Sequence, residues 1–149
     1  MNEVLPSDIL KPSLMLFTKC CTFCFFILSI FISSSVVFAA TIFVPGDYAT
    51  IQAAIGASAD GDTVIVADGT YVENINFPVI GANKNITLIS ENGPEFTIID
   101  GGNSGVVVLF PAESDSILEG FTIRNGFARL NTGGGIRIAR DASPTITNC

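Results

Sequence analysis

Two aspartates flank a single glycine at Asp60-Gly61-Asp62. Paired carboxylates at that spacing supply hard oxygen ligands and could hold a hard cation. The same three residues also make an ordinary turn closing a helix, and that reading is preferred. Asp68-Gly69 and Asp100-Gly101 read as turns in the same way. Glu73, Glu119, Arg124 and Arg137 are expected to point outward. Of these, Arg124, Arg137 and Glu119 are candidates for glycan contact, because a guanidinium can grip a uronate carboxylate in a planar fork. The competing reading is a solvated face, and no carboxylate is placed to work catalytically with these arginines. The chain has no histidine, so no Ser–His relay can form. Gly133-Gly134-Gly135 precedes a strand pattern instead of opening a helix, unlike a phosphate loop. Asn85-Ile86-Thr87 is a glycosylation sequon, meaningful only in a eukaryotic secretory pathway. No catalytic constellation and no cofactor site emerges from these residues.

What must position them begins after an export signal. Phe23 to Ile32 is apolar except at Ser29. Lys19 precedes it, and Ser33-Ser34-Ser35 then Val36-Val37-Phe38-Ala39-Ala40 follow. That order matches a signal peptide over 1–39, with cleavage after Ala39 and Met15 as a second candidate start. A membrane anchor over Cys20 to Phe38 is the alternative, but four serines and a threonine interrupt it. The expected location is secreted or cell-surface, with membrane contact only through an uncleaved signal. Cleavage removes three of the four cysteines and leaves Cys149, so no disulfide framework follows. The net charge of −7 falls on the remainder, where five basic residues are scattered. That excludes the basic stripe that nucleic acid requires.

Residues 40–62 read as a strand followed by one short helix, with Ile51, Ala54 and Ile55 on one face. Residues 63–149 alternate short β-branched runs with Gly, Asn, Asp and Pro turns. The runs repeat. Phe96-Thr-Ile-Ile-Asp100, Phe121-Thr-Ile-Arg-Asn125 and Pro144-Thr-Ile-Thr-Asn148 align at offsets of 25 and 23 residues. The alignment puts Ile98, Ile123 and Ile146 in one inward column, beside Phe96 and Phe121. Thr97, Thr122, Arg124, Thr145 and Thr147 take the wet face, and Ile99 is an exception. Asp100, Asn125 and Asn148 form an inward ladder whose side chains bond along the stack. The expected fold is all-β: a right-handed parallel β-helix, a solenoid of three to four rungs with a short N-terminal capping helix.

Several spaced segments carry a family resemblance. They are Tyr48-Ala-Thr-Ile-Gln-Ala-Ala-Ile55, Asp60-Gly-Asp-Thr-Val-Ile-Val66, Gly69-Thr-Tyr-Val-Glu-Asn-Ile75 and Lys84-Asn-Ile-Thr-Leu88. They resemble the opening of pectin-lyase-like right-handed β-helix proteins. Leu118 to Gly126, Gly133 to Ile136 and Ser143 to Cys149 resemble repeats of large secreted proteins of that superfamily. The resemblance spans about 42 to 149. It implies that the helix covers one end of the coil, that further rungs follow Cys149, and that a polysaccharide is the partner. A Ca²⁺ ion is implied by the resemblance alone. It leaves activity open, because the superfamily holds pectate lyases, polygalacturonases, pectin methylesterases and coils without known chemistry. Methylesterases carry Gln and Asp on strands after the region matching Phe121 to Asn125. Phe127 to Ile138 contains neither. The expected function is a non-catalytic glycan-binding or structural solenoid. The alternative is the start of a polysaccharide lyase, hydrolase or pectin methylesterase whose site lies downstream.

Overall fold

Short β-branched runs between turns become short strands, and nearly all of them pair in parallel. A computed structural model describes residues 38–78, 84–128 and 133–149. The signal segment lies almost wholly outside the described residues. From Ala39 onward the chain forms one unit. Its elements are β1 (Thr41–Val44), α1 (Ile51–Ala57), β2 (Thr63–Val66), β3 (Gly69–Val72), β4 (Ile75–Asn76) and β5 (Thr87–Ser90). Then come β6 (Thr97–Asp100), β7 (Val108–Phe110), β8 (Ile117–Glu119), β9 (Thr122–Arg124), β10 (Ile136–Ile138) and β11 (Thr145–Thr147). Three parallel sheets result, ordered β1-β2-β5-β8-β11, β3-β6-β9 and β4-β7-β10. The chain visits the sheets in rotation: β2, β3, β4, then β5, β6, β7, then β8, β9, β10, and β11 rejoins the first. Among the described residues the architecture is all-β with one helix and stacked parallel strands.

Alternation along each strand decides what is buried. In the first sheet Val64, Leu88 and Leu118 stack in register and are fully buried. Ile42 and Ile146 extend that column at its two ends. Ile75, Phe77, Val108 and Phe110 fill the core from the third sheet's side.

The repeat columns expected from sequence need correction at two places. Ile99, not Ile98, pairs with Ile123, so the register of β6 on β9 differs by one residue from the alignment. Thr97 and Ile99 therefore point into the core at 0% exposure, while Phe96 is 54% exposed. The run at Pro144 to Asn148 does not join β6 and β9 at all. Its strand β11 pairs with β8 in the first sheet. Every sheet here demands the same β-branched alternation, so runs from different sheets look alike in sequence.

The inward turn of Thr97 leaves its hydroxyl buried, with no hydrogen-bond partner among the described residues. A buried unpaired hydroxyl is destabilising by about 1–3 kcal/mol. Thr97→Val should raise the urea midpoint by an amount equivalent to about 1 kcal/mol or more. A lowered midpoint would show that the hydroxyl has a partner.

Helix α1 is fastened at both ends. The Thr50 hydroxyl accepts from the Ala53 N–H at 3.2 Å. The Glu73 carboxylate accepts from the Ile51 and Gln52 N–H groups at 3.0 and 2.9 Å. At the other end Lys84 donates to the Ile55 carbonyl at 2.7 Å. An anion at the N-terminus and a cation at the C-terminus both complement the helix dipole. Ile51, Ala54 and Ile55 are buried against β1, β2 and β4. Glu73 was expected to face solvent. It is instead half-buried on the helix, because four free N–H groups at a helix start attract the nearest carboxylate.

Candidate functional site

The three residues expected to contact a glycan stand on three different sheets. Glu119 ends β8, Arg124 ends β9, and Arg137 sits in the middle of β10. They do not share a face. Arg124 is also committed: its Nε donates to Asp100 Oδ2 at 2.8 Å. Asp100 further accepts from the Gly102 N–H at 2.9 Å and from Asn125 Nδ2 at 2.9 Å. The Asp100–Asn125 contact thus runs between neighbouring strands, but Asp100 shares its column with exposed Val72 and Arg124. Asn148 has no part in it, since it follows β11 on the first sheet.

Asp60 and Asp62 act as backbone acceptors. Asp60 accepts from the Asn85 N–H at 2.8 Å. Asp62 is buried and accepts from Ala59 at 2.6 Å and from Ala40 at 2.7 Å. Among the described residues no group of three or more acidic, His or Cys side chains is placed to hold a metal ion.

These bonds lower two pKa values. The Ala59 N–H, then the Ala40 N–H, hold Asp62 below the ordinary carboxylate value of 3.8, against the opposing effect of burial. The Gly102 N–H, then Arg124, do the same for Asp100. A depressed native pKa gives stability that is complete above the ordinary value and lost as pH falls through the native one. Acid titration should therefore show stability falling below about pH 4. The limb should flatten in Asp62→Asn, which no longer titrates there. An unchanged acid limb would remove Asp62 from this role.

A different feature gathers unengaged polar groups. Six residues, Glu91 to Phe96, join β5 to β6, whereas Gly120 and Phe121 alone join β8 to β9. The mismatch leaves a step on the surface, a concavity of about 340 Å³. It is lined by Ile89, Ser90, Glu91, Asn92, Gly93, Glu119, Gly120 and Asn148. Gly120 has φ +81°, and a Cβ there would collide with the Ser90 hydroxyl, so only glycine fits. Asn92 is held by its Nδ2 bond to Asp68 Oδ1 at 3.0 Å. The side chains of Glu91, Glu119 and Asn148 bond to none of the described residues.

The chain matches no protein-family model, no curated protein and no solved structure. The concavity must therefore be judged on its own chemistry. It offers carboxylate acceptors, carboxamides and one aliphatic side chain, with no cation in its lining. Of its residues the sequence singled out only Glu119 and Asn148, and Asn148 for another role. Ser90 to Gly93 reads as a plain turn. Its only distinguishing signal is length, since the corresponding turns Ala67-Asp68 and Gly120-Phe121 are much shorter.

Proposed function

We propose that the chain forms a secreted or cell-surface right-handed parallel β-helix of the pectin-lyase-like type, and that it binds glycan without catalysis. The rotation through three parallel sheets supports the coil reading, since crossovers between parallel strands are right-handed almost without exception. Helix α1 then serves as the end cap. Its apolar face meets β1 and β4, the edge strands of the first and third sheets, where bare strand edges would otherwise invite aggregation.

The observation that carries the glycan reading is the polar step beside Glu119. Carboxylates and carboxamides beside one aliphatic side chain, Ile89, complement a polyhydroxylated ring. Elsewhere, Asp60, Asp62, Glu73 and Asp100 are occupied with backbone or neighbouring strands. Two carboxylates in one concavity are also what a glycosidase uses. Catalysis, however, needs the scissile bond held between the two carboxyl groups and shielded from bulk water. Glu91 is exposed and Glu119 is half-exposed, on an open surface.

Calorimetric titration of the full chain with a panel of oligosaccharides should give saturable binding, weakened tenfold or more by Asn148→Ala with Glu119→Ala. Incubation with the same panel should release no new reducing ends or unsaturated products. Product formation abolished by Glu119→Gln would replace this reading with the hydrolase one.

A further inference from the structure

We infer that the concavity at Glu91, Glu119 and Asn148 selects uncharged sugars and rejects uronates. The inference rests on the glycan-binding reading above. Its first ground is charge. Two carboxylates line the step, and no Lys or Arg is among the lining residues. A sugar carboxylate seated there would meet like charge at close range, and the chain's net −7 adds a long-range repulsion. Arg124, which could neutralise a uronate, is on the second sheet and bound to Asp100.

The second ground is hydrogen-bond type. Sugar hydroxyls both donate and accept. Carboxylates take the donated protons, often from two adjacent hydroxyls at once, while a carboxamide gives and takes. Among the described residues Glu91, Glu119 and Asn148 have no side-chain partner, while Asn92 is fixed by Asp68. The third ground is an apolar contact: half-buried Ile89 is the one aliphatic side chain of the lining and can meet the C–H face of a ring.

The test isolates charge from ring shape. The full chain is titrated with neutral gluco-, xylo- and galacto-oligosaccharides, and with one oligogalacturonide as free acid and as full methyl ester. At least one neutral sugar, or the ester, should bind at least tenfold more tightly than the free acid at low salt. The gap should shrink severalfold in Glu91→Gln with Glu119→Gln, and shrink in the parent as salt is raised. A free acid that binds as tightly as the neutral sugars overturns the inference and leaves the glycan reading intact. Absence of binding by every member of the panel overturns both.

Discussion

Replacing Phe110 with alanine should lower unfolding stability by about 3–5 kcal/mol, as a fully buried aromatic lost from a core does. Phe110 is 0% exposed on β7, the strand between β4 and β10. Its ring stacks on Phe77 with centroids 4.4 Å apart and planes 18° apart. Truncation removes that contact and opens a void that strands hydrogen-bonded on both sides cannot close. Small domains have a total stability of about 5–15 kcal/mol, so the variant should be near or past the edge of folding. Phe110→Leu retains most of the volume and should lose far less. Phe96→Ala supplies the contrast: with 54% of its surface exposed, it should change stability by less than about 1 kcal/mol. Urea unfolding followed by circular dichroism measures all three. Equal losses at Phe96 and Phe110 would mean that the inward and outward sides of these strands are misassigned.

That contrast marks how far the sequence could be read. Phe96 and Phe121 begin look-alike runs, and Phe121 is buried as its run suggests. Phe96 is not, because side-chain parity passes from strand to strand through the turns. The turn before β6 is longer than the one before β9, and one residue of slip exchanges the faces. The strands, their parallel stacking and the helix were legible because alternation and Gly/Asn punctuation are local. Which sheet a run joins is not local, so Asn148 was assigned beside Asp100 when it lies by Gly93. The candidate site was hidden for the same reason. Glu91, Glu119 and Asn148 are separated by about 28 residues at each step and meet only through stacking. Glu73 was misread differently: its partner is a set of backbone N–H groups, which carry no sequence signature.

Gly126→Ala should be the most damaging single-methyl addition, although Gly126 needs no left-handed backbone. The constraint is contact. A Cβ at Gly126 would overlap the carbonyl carbon and oxygen of Gly134 and lie 3.0 Å from the Gly135 nitrogen. In return, a Cβ at Gly134 would lie 2.9 Å from the carbonyl carbon and oxygen of Gly126. Neither strand end can retreat cheaply. The Gly134 and Gly135 carbonyls accept from the Val107 and Val108 N–H groups at 3.0 Å each, the bonds that seat β10 on β7. On the other side the Phe127 N–H donates to the Gly105 carbonyl at 2.7 Å. Relief of the overlap therefore strains the core or breaks ladder bonds, and a loss of about 2–4 kcal/mol is expected. Gly135→Ala is the matched control, because its added Cβ meets nothing within 4 Å. It should unfold at nearly the parent's urea midpoint. Amide exchange gives the finer readout: in Gly126→Ala, protection should fall first at Val107 and Val108, while Leu88 and Leu118 on the first sheet keep theirs. Uniform loss of protection would instead mean that the three sheets open as one cooperative unit, and that this glycine contact sets the stability of them all.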